Sequence, residues 1–234
     1  MRGGAPRSPL VLKRTSPARF PDPREFDAEG LVAIGGDLSQ KRLLAAYRGG
    51  IFPWYDVGYP PLWWSPDPRA VLDPDHLHVG RSLRRVLAAA DFELGWNQCF
   101  ERVMGECGRR RADGTWITPE MIAAYSRLHR AGHVHSLEVF RGGELVGGIY
   151  GVQVGALFAA ESMFHRATDM SKVALVAMVR SLFAAGIELF DVQFRTGHLE
   201  RCGVFELSRA DYLAALSRVT EKVVDLTALV PGVT

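Results

Sequence analysis

Residues 172–185 constrain the fold more than any other segment of the chain. They are apolar on nearly every side of a helical projection, so a helix there has no face to give to water and must be enclosed by other layers. Ser171 precedes it as a hydroxyl cap and Gly186 follows as a stop. The short apolar run 187–191 comes next and reads as a strand. Upstream, residues 136–140, 144–154 and 156–164 read as strands separated by turns at Gly142-Gly143 and Gly155, which is the pattern of an antiparallel meander. The order strand, strand, strand, helix, strand predicts an α+β fold in which a central crossover helix completes a mixed sheet.

The flanks extend this core. Arg69-Ala-Val-Leu reads as a strand, and residues 82–90 read as a helix that sets Arg81, Arg84 and Arg85 on one side. Thr118-Pro119-Glu120 starts a helix with a hydroxyl cap, a proline at the first position and an acid in the first turn; it runs to about Arg130 and stops at Gly132. A last helix covers 208–219. Residues 1–68 are of another kind, rich in proline, glycine and aromatics. Ser39 or Asp37 caps a short helix over 43–47 that Gly49-Gly50 stops. The segment holding Trp54, Trp63 and Trp64 carries too many prolines for regular helix. Its indoles either pack a small module onto the rest or present stacking surfaces to a base or a peptide. The expected division is a small N-terminal domain, 1–68, and a larger domain, 69–234.

A length of 234 residues with 47% hydrophobic and 23% charged side chains allows a substantial core. No apolar run is long enough to span a bilayer, so no membrane partner is expected. The basic N-terminus lacks the continuous hydrophobic stretch of a secretion signal, and Pro6, Pro9 and Pro17 interrupt an amphipathic targeting helix. Cys99, Cys107 and Cys202 are odd in number and widely spaced, which argues for a reducing compartment. The net charge of +2 says little, but basic residues gather before Arg24, at Arg81/Arg84/Arg85 and at Arg109-Arg110-Arg111. Each cluster is a solvated surface or a set of phosphate contacts.

Polar groups in apolar strands mark the candidate chemistry. Strict alternation puts Asp191 and Gln193 on one face and Val192 on the other; the pair either caps the next turn or belongs to a site. Glu161 ends the apolar run 156–160 with Met163 on its face, and is either paired with Lys172 or an arginine, or placed to hold a cation or an amine. His129, His133 and His135 include a metal-like spacing, yet no acid or cysteine completes a set, so no metal is expected. There is no Walker loop, dinucleotide-binding glycine motif or serine elbow. The sheet order invites comparison with acyl-CoA-dependent N-acetyltransferases, but the turn 165–171 contains no glycine to cradle a pyrophosphate, which argues against CoA.

Taken in order, Phe20-Pro-Asp-Pro, Gly35-Gly-Asp-Leu-Ser, Gly50-Ile-Phe-Pro-Trp-Tyr, Trp63-Trp-Ser-Pro-Asp-Pro-Arg, Gly114-Thr-Trp-Ile-Thr, His133-Val-His-Ser-Leu-Glu-Val, Gly147-Gly-Ile-Tyr-Gly-Val, Glu161-Ser-Met-Phe and Asp191-Val-Gln resemble the leucyl/phenylalanyl-tRNA–protein transferase family over nearly the whole chain. The resemblance implies an acetyltransferase-like (GNAT-like) catalytic domain behind a small N-terminal one, in a cytoplasmic enzyme of the N-end-rule degradation pathway. Such enzymes move Leu or Phe from aminoacyl-tRNA to the α-amine of proteins that begin with Lys or Arg, without cofactor or CoA. It further implies that Asp191 and Gln193 are the catalytic pair, joined by Glu161. Trp54, Trp116, Tyr125, Ile149 and Phe158, with Met163 beside them, would form the aminoacyl-adenosine and acceptor site. Arg81, Arg84 and Arg85 would meet the tRNA backbone. The chain departs from the family pattern at Ala160, His165, Arg201 and Cys202. Those departures keep open a related transferase with another acceptor preference, beside an acetyl-CoA N-acetyltransferase and a non-catalytic tRNA- or degron-binding protein.

Overall fold

Two sheets share the chain in the computed structural model, which describes residues 6–109 and 115–233. The first comprises β1 (Leu10–Leu12) and β2 (Leu31–Gly35), then, after helix α1 (Gln40–Arg48), β3 (Phe52–Pro53) and β4 (Leu62–Trp64). Its strand order is β1-β2-β4-β3, parallel only between β1 and β2. Ser39 caps α1 by accepting from the Arg42 amide, and Gly49 ends it. Trp63 is fully buried, and its indole donates to the Gly35 carbonyl at 2.8 Å. Trp54 stays 45% exposed.

The second sheet begins with β5 (Arg69–Leu72), followed by α2 (Arg81–Ala89), β6 (Glu93–Trp96), α3 (Phe100–Cys107) and α4 (Pro119–Arg130). The meander is β7 (Val134–Arg141), β8 (Glu144–Val154) and β9 (Leu157–His165). Helix α5 (Met170–Ala184) then leads to β10 (Leu189–Gln193), α6 (Gly197–Glu200), β11 (Phe205–Leu207) and α7 (Arg209–Val219). The seven strands are ordered β11-β5-β10-β9-β8-β7-β6, and only β9 and β10, the pair that α5 connects, run parallel. The fold is therefore the expected α+β arrangement of meander, crossover helix and mixed sheet. β6, α3, β11 and the strands of the first sheet are additions for which the sequence offers only short, weakly periodic runs.

Helix α5 is buried on all sides, as its composition requires. It packs against β7, β8 and β9 on one face of the sheet, with α2 outside it. It starts earlier than expected. Asp169, in a left-handed conformation (φ 66°), precedes Met170, and Ser171 lies inside the helix with its hydroxyl 3.3 Å from His165 Nδ1. The carboxylate of Asp169 takes Lys172 at 2.7 Å, which removes Lys172 as a partner for Glu161.

The other face of the large sheet is covered by α1, α3, α4 and α7 together with the small sheet. Leu12, Val32 and Trp63 belong to the same apolar cluster as Val71, Tyr125 and Tyr212. A buried arginine stitches this join, Arg209 donating to the carbonyls of Phe26, Asp27 and Ser65, while buried Arg42 ties α1 to the carbonyls of Ser16 and Pro17. A buried cation saturated by carbonyl oxygens costs far less than an unpaired one. Among the described residues, no helix is long and apolar enough to cross a membrane.

Candidate active site

The parallel pair β9/β10 is in register from Leu189 opposite Leu157 to Asp191 opposite Ala159, and there the pairing ends. Both strands bulge just beyond. In β9 the register with β8 passes from Gly151 opposite Ala160 to Tyr150 opposite Ser162, leaving Glu161 as the extra residue. Gly151 is needed at this slip, because a Cβ there would lie 2.4 Å from the Ala159 carbonyl oxygen. In β10 the register with β5 passes from Asp191 opposite Val71 to Gln193 opposite Ala70, and Gln193 sits in the left-handed region at φ 59°. A bulge inserts an unpaired residue and re-aims the side chains beside it. Two of them in facing strands part the sheet and open a cleft of about 500 Å³.

The bulges also break the alternation expected from the sequence. Val192 and Gln193 both line the cleft, whereas Asp191 is fully buried and does not line it. Its four lone-pair positions are all taken. Oδ1 accepts from Arg69 Nε at 2.8 Å and from the Gln193 backbone amide at 2.9 Å; Oδ2 accepts from Arg69 Nη2 at 2.6 Å and the Tyr212 hydroxyl at 3.0 Å. Asp191 thus bonds the backbone of Gln193 and leaves its carboxamide nitrogen without a partner among the described residues. The Gln193 Nε2 is buried and without a partner. A buried donor left without a partner is costly and rare in a folded protein.

Arg69 is as enclosed as its partner, each with 1% of its side chain exposed. Its guanidinium lies 4.7 Å from the Phe52 ring centroid and 4.6 Å from that of Tyr212, and it also donates to the Gly50 carbonyl at 3.0 Å. Burial works against its charge, but Asp191 more than offsets this and holds the group above its usual pKa.

Glu161 has no ion-pair partner among the described residues. Its Oε1 accepts from the Tyr47 hydroxyl at 2.8 Å, and Tyr47 meets the Tyr125 hydroxyl at 2.5 Å, both phenols fully buried. Burial pushes the Glu161 carboxyl from an ordinary 4.5 up to about 8, in spite of the Tyr47 hydrogen bond. It faces the cleft beside Ser162 and Met163.

The walls divide by chemistry. Phe52, Trp54, Trp116 and Phe194 line one side, with Trp54 5.4 Å from Phe194 and Phe52 5.6 Å from it between ring centroids. A smaller side pocket of about 80 Å³ is lined by Ile149, Ala160, Met163, Leu175, Val192 and Leu199, with Glu161, Ser162 and Gln193 at its polar side. Of the remaining candidates, Tyr125 lies behind Tyr47 and not on the cleft, and Phe158 is buried beneath the floor, stacked on Phe190 at 5.6 Å. Arg81, Arg84 and Arg85 are exposed together on α2, outside the cleft. His129 and His135 are hydrogen-bonded within the fold, and burial takes His135 down to about 4. No group of three or more potential metal ligands occurs among the described residues. Of the other basic residues, Arg7 and Arg24 pair with Glu25 and Asp22, Arg109 pairs with Glu106, and Arg2, Arg110 and Arg111 lie outside the described residues.

Sequence alone does not single out Arg69, Tyr47, Tyr212 or Phe194. One signal existed for Arg69. An arginine opening the apolar strand Arg69-Ala-Val-Leu needs a buried acid, and few acids lie in apolar strands. The others had none, since Tyr47 and Tyr212 reach the site from helices that read as ordinary amphipathic packing.

A family model described as leucyl/phenylalanyl-tRNA protein transferase matches residues 71–217, and one for the N-terminal domain of that transferase matches 36–67. The chain is 53% identical to the leucyl/phenylalanyl-tRNA–protein transferase of Anaeromyxobacter sp. (strain K), over 92% of this chain and 93% of that one. It is 49% identical to the transferase of the same name from Myxococcus xanthus (strain DK1622), over 91% and 92%. Among solved structures, a GCN5-related N-acetyltransferase-like protein from Streptococcus suis 89/1591 matches with a TM-score of 0.34 at 11% identity, over 60% of this chain and 57% of that one.

Proposed function

The chain belongs to the leucyl/phenylalanyl-tRNA protein transferase family, and on that premise we propose that its cleft joins Leu or Phe, delivered on tRNA, to the α-amine of proteins that begin with Lys or Arg. The observation that carries the reading is the unpartnered Gln193 amide, which lines with Glu161 both an aromatic-walled cleft and its mainly apolar side pocket. The side pocket suits a Leu or Phe side chain, and apolar walls discriminate weakly between the two. The aromatic wall suits the terminal adenosine. Truncating Trp54 to Ala is expected to cost about 1–3 kcal/mol of stacking, seen as a raised KM for charged tRNA with kcat nearly kept. Equal loss in kcat and kcat/KM would speak against a binding role.

The reaction is aminolysis of an ester. The acceptor nitrogen attacks the aminoacyl carbonyl, the new C–N bond forms, the C–O bond to the ribose breaks, and the proton leaving the nitrogen ends on the ribose oxygen. An α-ammonium has a reference pKa near ~8, matched to the value of about 8 at Glu161, so proton transfer between them is nearly balanced. Glu161 is therefore the base we assign, returning the proton to the ribose oxygen. Gln193 is a neutral amide and a very weak base. Its free Nε2 donors serve the developing oxyanion, or its oxygen orients the amine. No cofactor and no CoA enter this scheme.

Arg81, Arg84 and Arg85 are the tRNA-backbone contacts we assign. Arg84→Glu together with Arg85→Glu is expected to weaken binding equally for all charged tRNAs and flatten its salt dependence by roughly one unit of slope per lost phosphate contact; an unchanged slope in filter binding would remove α2 from the interface. The whole reading is tested by incubating the protein with charged Leu-tRNA and peptides beginning with Arg, Lys, Asp or Glu. Addition to Arg and Lys alone is expected. Addition to Asp or Glu would replace the acceptor assignment, and no addition to any peptide would sink the transferase reading. The same reading locates the enzyme in the cytoplasm and its products in N-end-rule degradation.

A further inference from the structure

We infer that Arg69 is a positioning residue for the transfer reaction, and that it acts through Asp191 on the backbone of Gln193; the inference rests on the transferase reading above. Gln193 lines the cleft with its backbone held at φ 59°, a left-handed conformation that strains any residue but glycine. Such strain persists only when the surroundings over-determine it. Here the restraint is identifiable, since the Gln193 amide hydrogen is pinned at 2.9 Å to Asp191 Oδ1.

Asp191 can hold that amide only if the carboxylate is itself immobile and charged. Arg69 fixes both of its oxygens in a two-pronged contact, at 2.8 and 2.6 Å, and Tyr212 takes the last position at 3.0 Å. Arg69 is in turn clamped between the Phe52 and Tyr212 rings and tied to the Gly50 carbonyl. With its four lone-pair positions filled, Asp191 has none left to draw a proton from the Gln193 carboxamide. Its work is geometric and electrostatic, and it is conducted from Arg69 to the bulge. The clamp also ties the segment from Gly50 to Phe52 to the cleft, because Phe52 lines it at the start of β3.

The test is a cycle of four proteins: the parent, Arg69→Lys, Gln193→Ala and both together, each assayed for kcat and for KM with charged Leu-tRNA and an Arg peptide. Lysine keeps the charge but cannot reproduce the planar fork. Arg69→Lys is expected to lower kcat about a hundredfold, the scale of an ångström-level misplacement, with KM for tRNA unchanged. In the Gln193→Ala background the same change is expected to cost nothing more. Independent, multiplying losses in the double variant, or a loss confined to KM, would overturn the inference. If Arg69→Lys does not fold, Tyr212→Phe removes one hydrogen bond to Asp191 and keeps the ring over Arg69; it should show a smaller loss of kcat that likewise vanishes without the Gln193 side chain. A parent that transfers nothing would refute the transferase reading itself, which the parent assay alone reveals.

Discussion

A chain carrying Asp191→Ala is expected to lose about 3–5 kcal/mol of folding stability, together with its transfer activity. The reason is that the alanine leaves Arg69 buried with an uncompensated charge, 1% exposed and held by a single carbonyl. Against a total stability of about 5–15 kcal/mol, that loss is a large fraction of the whole. It is measured as a lower denaturant midpoint at unchanged slope. Removing both charges separates the two roles. Arg69→Met with Asp191→Leu is expected to recover most of the stability, since apolar substitutes for a buried ion pair are often neutral or better. It should not recover transfer, because the Gln193 amide has lost its anchor. Recovery of transfer in that double variant would show that the pair serves the fold alone.

Glu161→Gln is the second large effect. The substitution keeps the shape and an acceptor for Tyr47 but cannot take a proton. At neutral pH kcat should fall by about 10²–10⁴, the range of general base catalysis. In the parent, transfer should rise as pH passes through about 8, where Glu161 ionises. Hydroxylamine, neutral at neutral pH, should accept Leu from charged tRNA with a much smaller penalty in Glu161→Gln, because it brings no proton that must be removed before attack. An equal penalty for hydroxylamine and peptide would point to binding by Glu161 in place of base catalysis. The same group leaves a signature in stability. Its pKa is raised on folding, so between the ordinary 4.5 and about 8 the native state holds a proton that the unfolded chain has released. Stability should fall as pH rises across that window, and Glu161→Gln should flatten the decline.

The meander, the buried crossover helix and the strand after it were legible because they rest on strong local signals: glycine turns, an all-apolar helix and a period-two pattern. The caps at Ser39 and Thr118 were legible for the same reason, each accepting from an amide in the first turn. Ser171 was misread as a cap because a hydroxyl before an apolar run looks the same whether it begins the helix or lies within it; the left-handed Asp169 made the difference. The strands between residues 10 and 64 were opaque, since they are short and paired across long sequence separations.

For the site, the sequence by itself determined which side chains were out of place: a carboxylate and an amide ending apolar strands, arginines gathered on one helix side, and tryptophans among prolines. Burial cost is a property of the residue type, so such anomalies are visible in one dimension. Only the tertiary structure decided where they point. A bulge shifts alternation by one position, and nothing in Ala160-Glu161-Ser162 or Asp191-Val192-Gln193 announces one; the slips arise from pairing with β8 and β5. That is why Asp191 faces Arg69, a residue 122 positions away, while Gln193 faces the cleft.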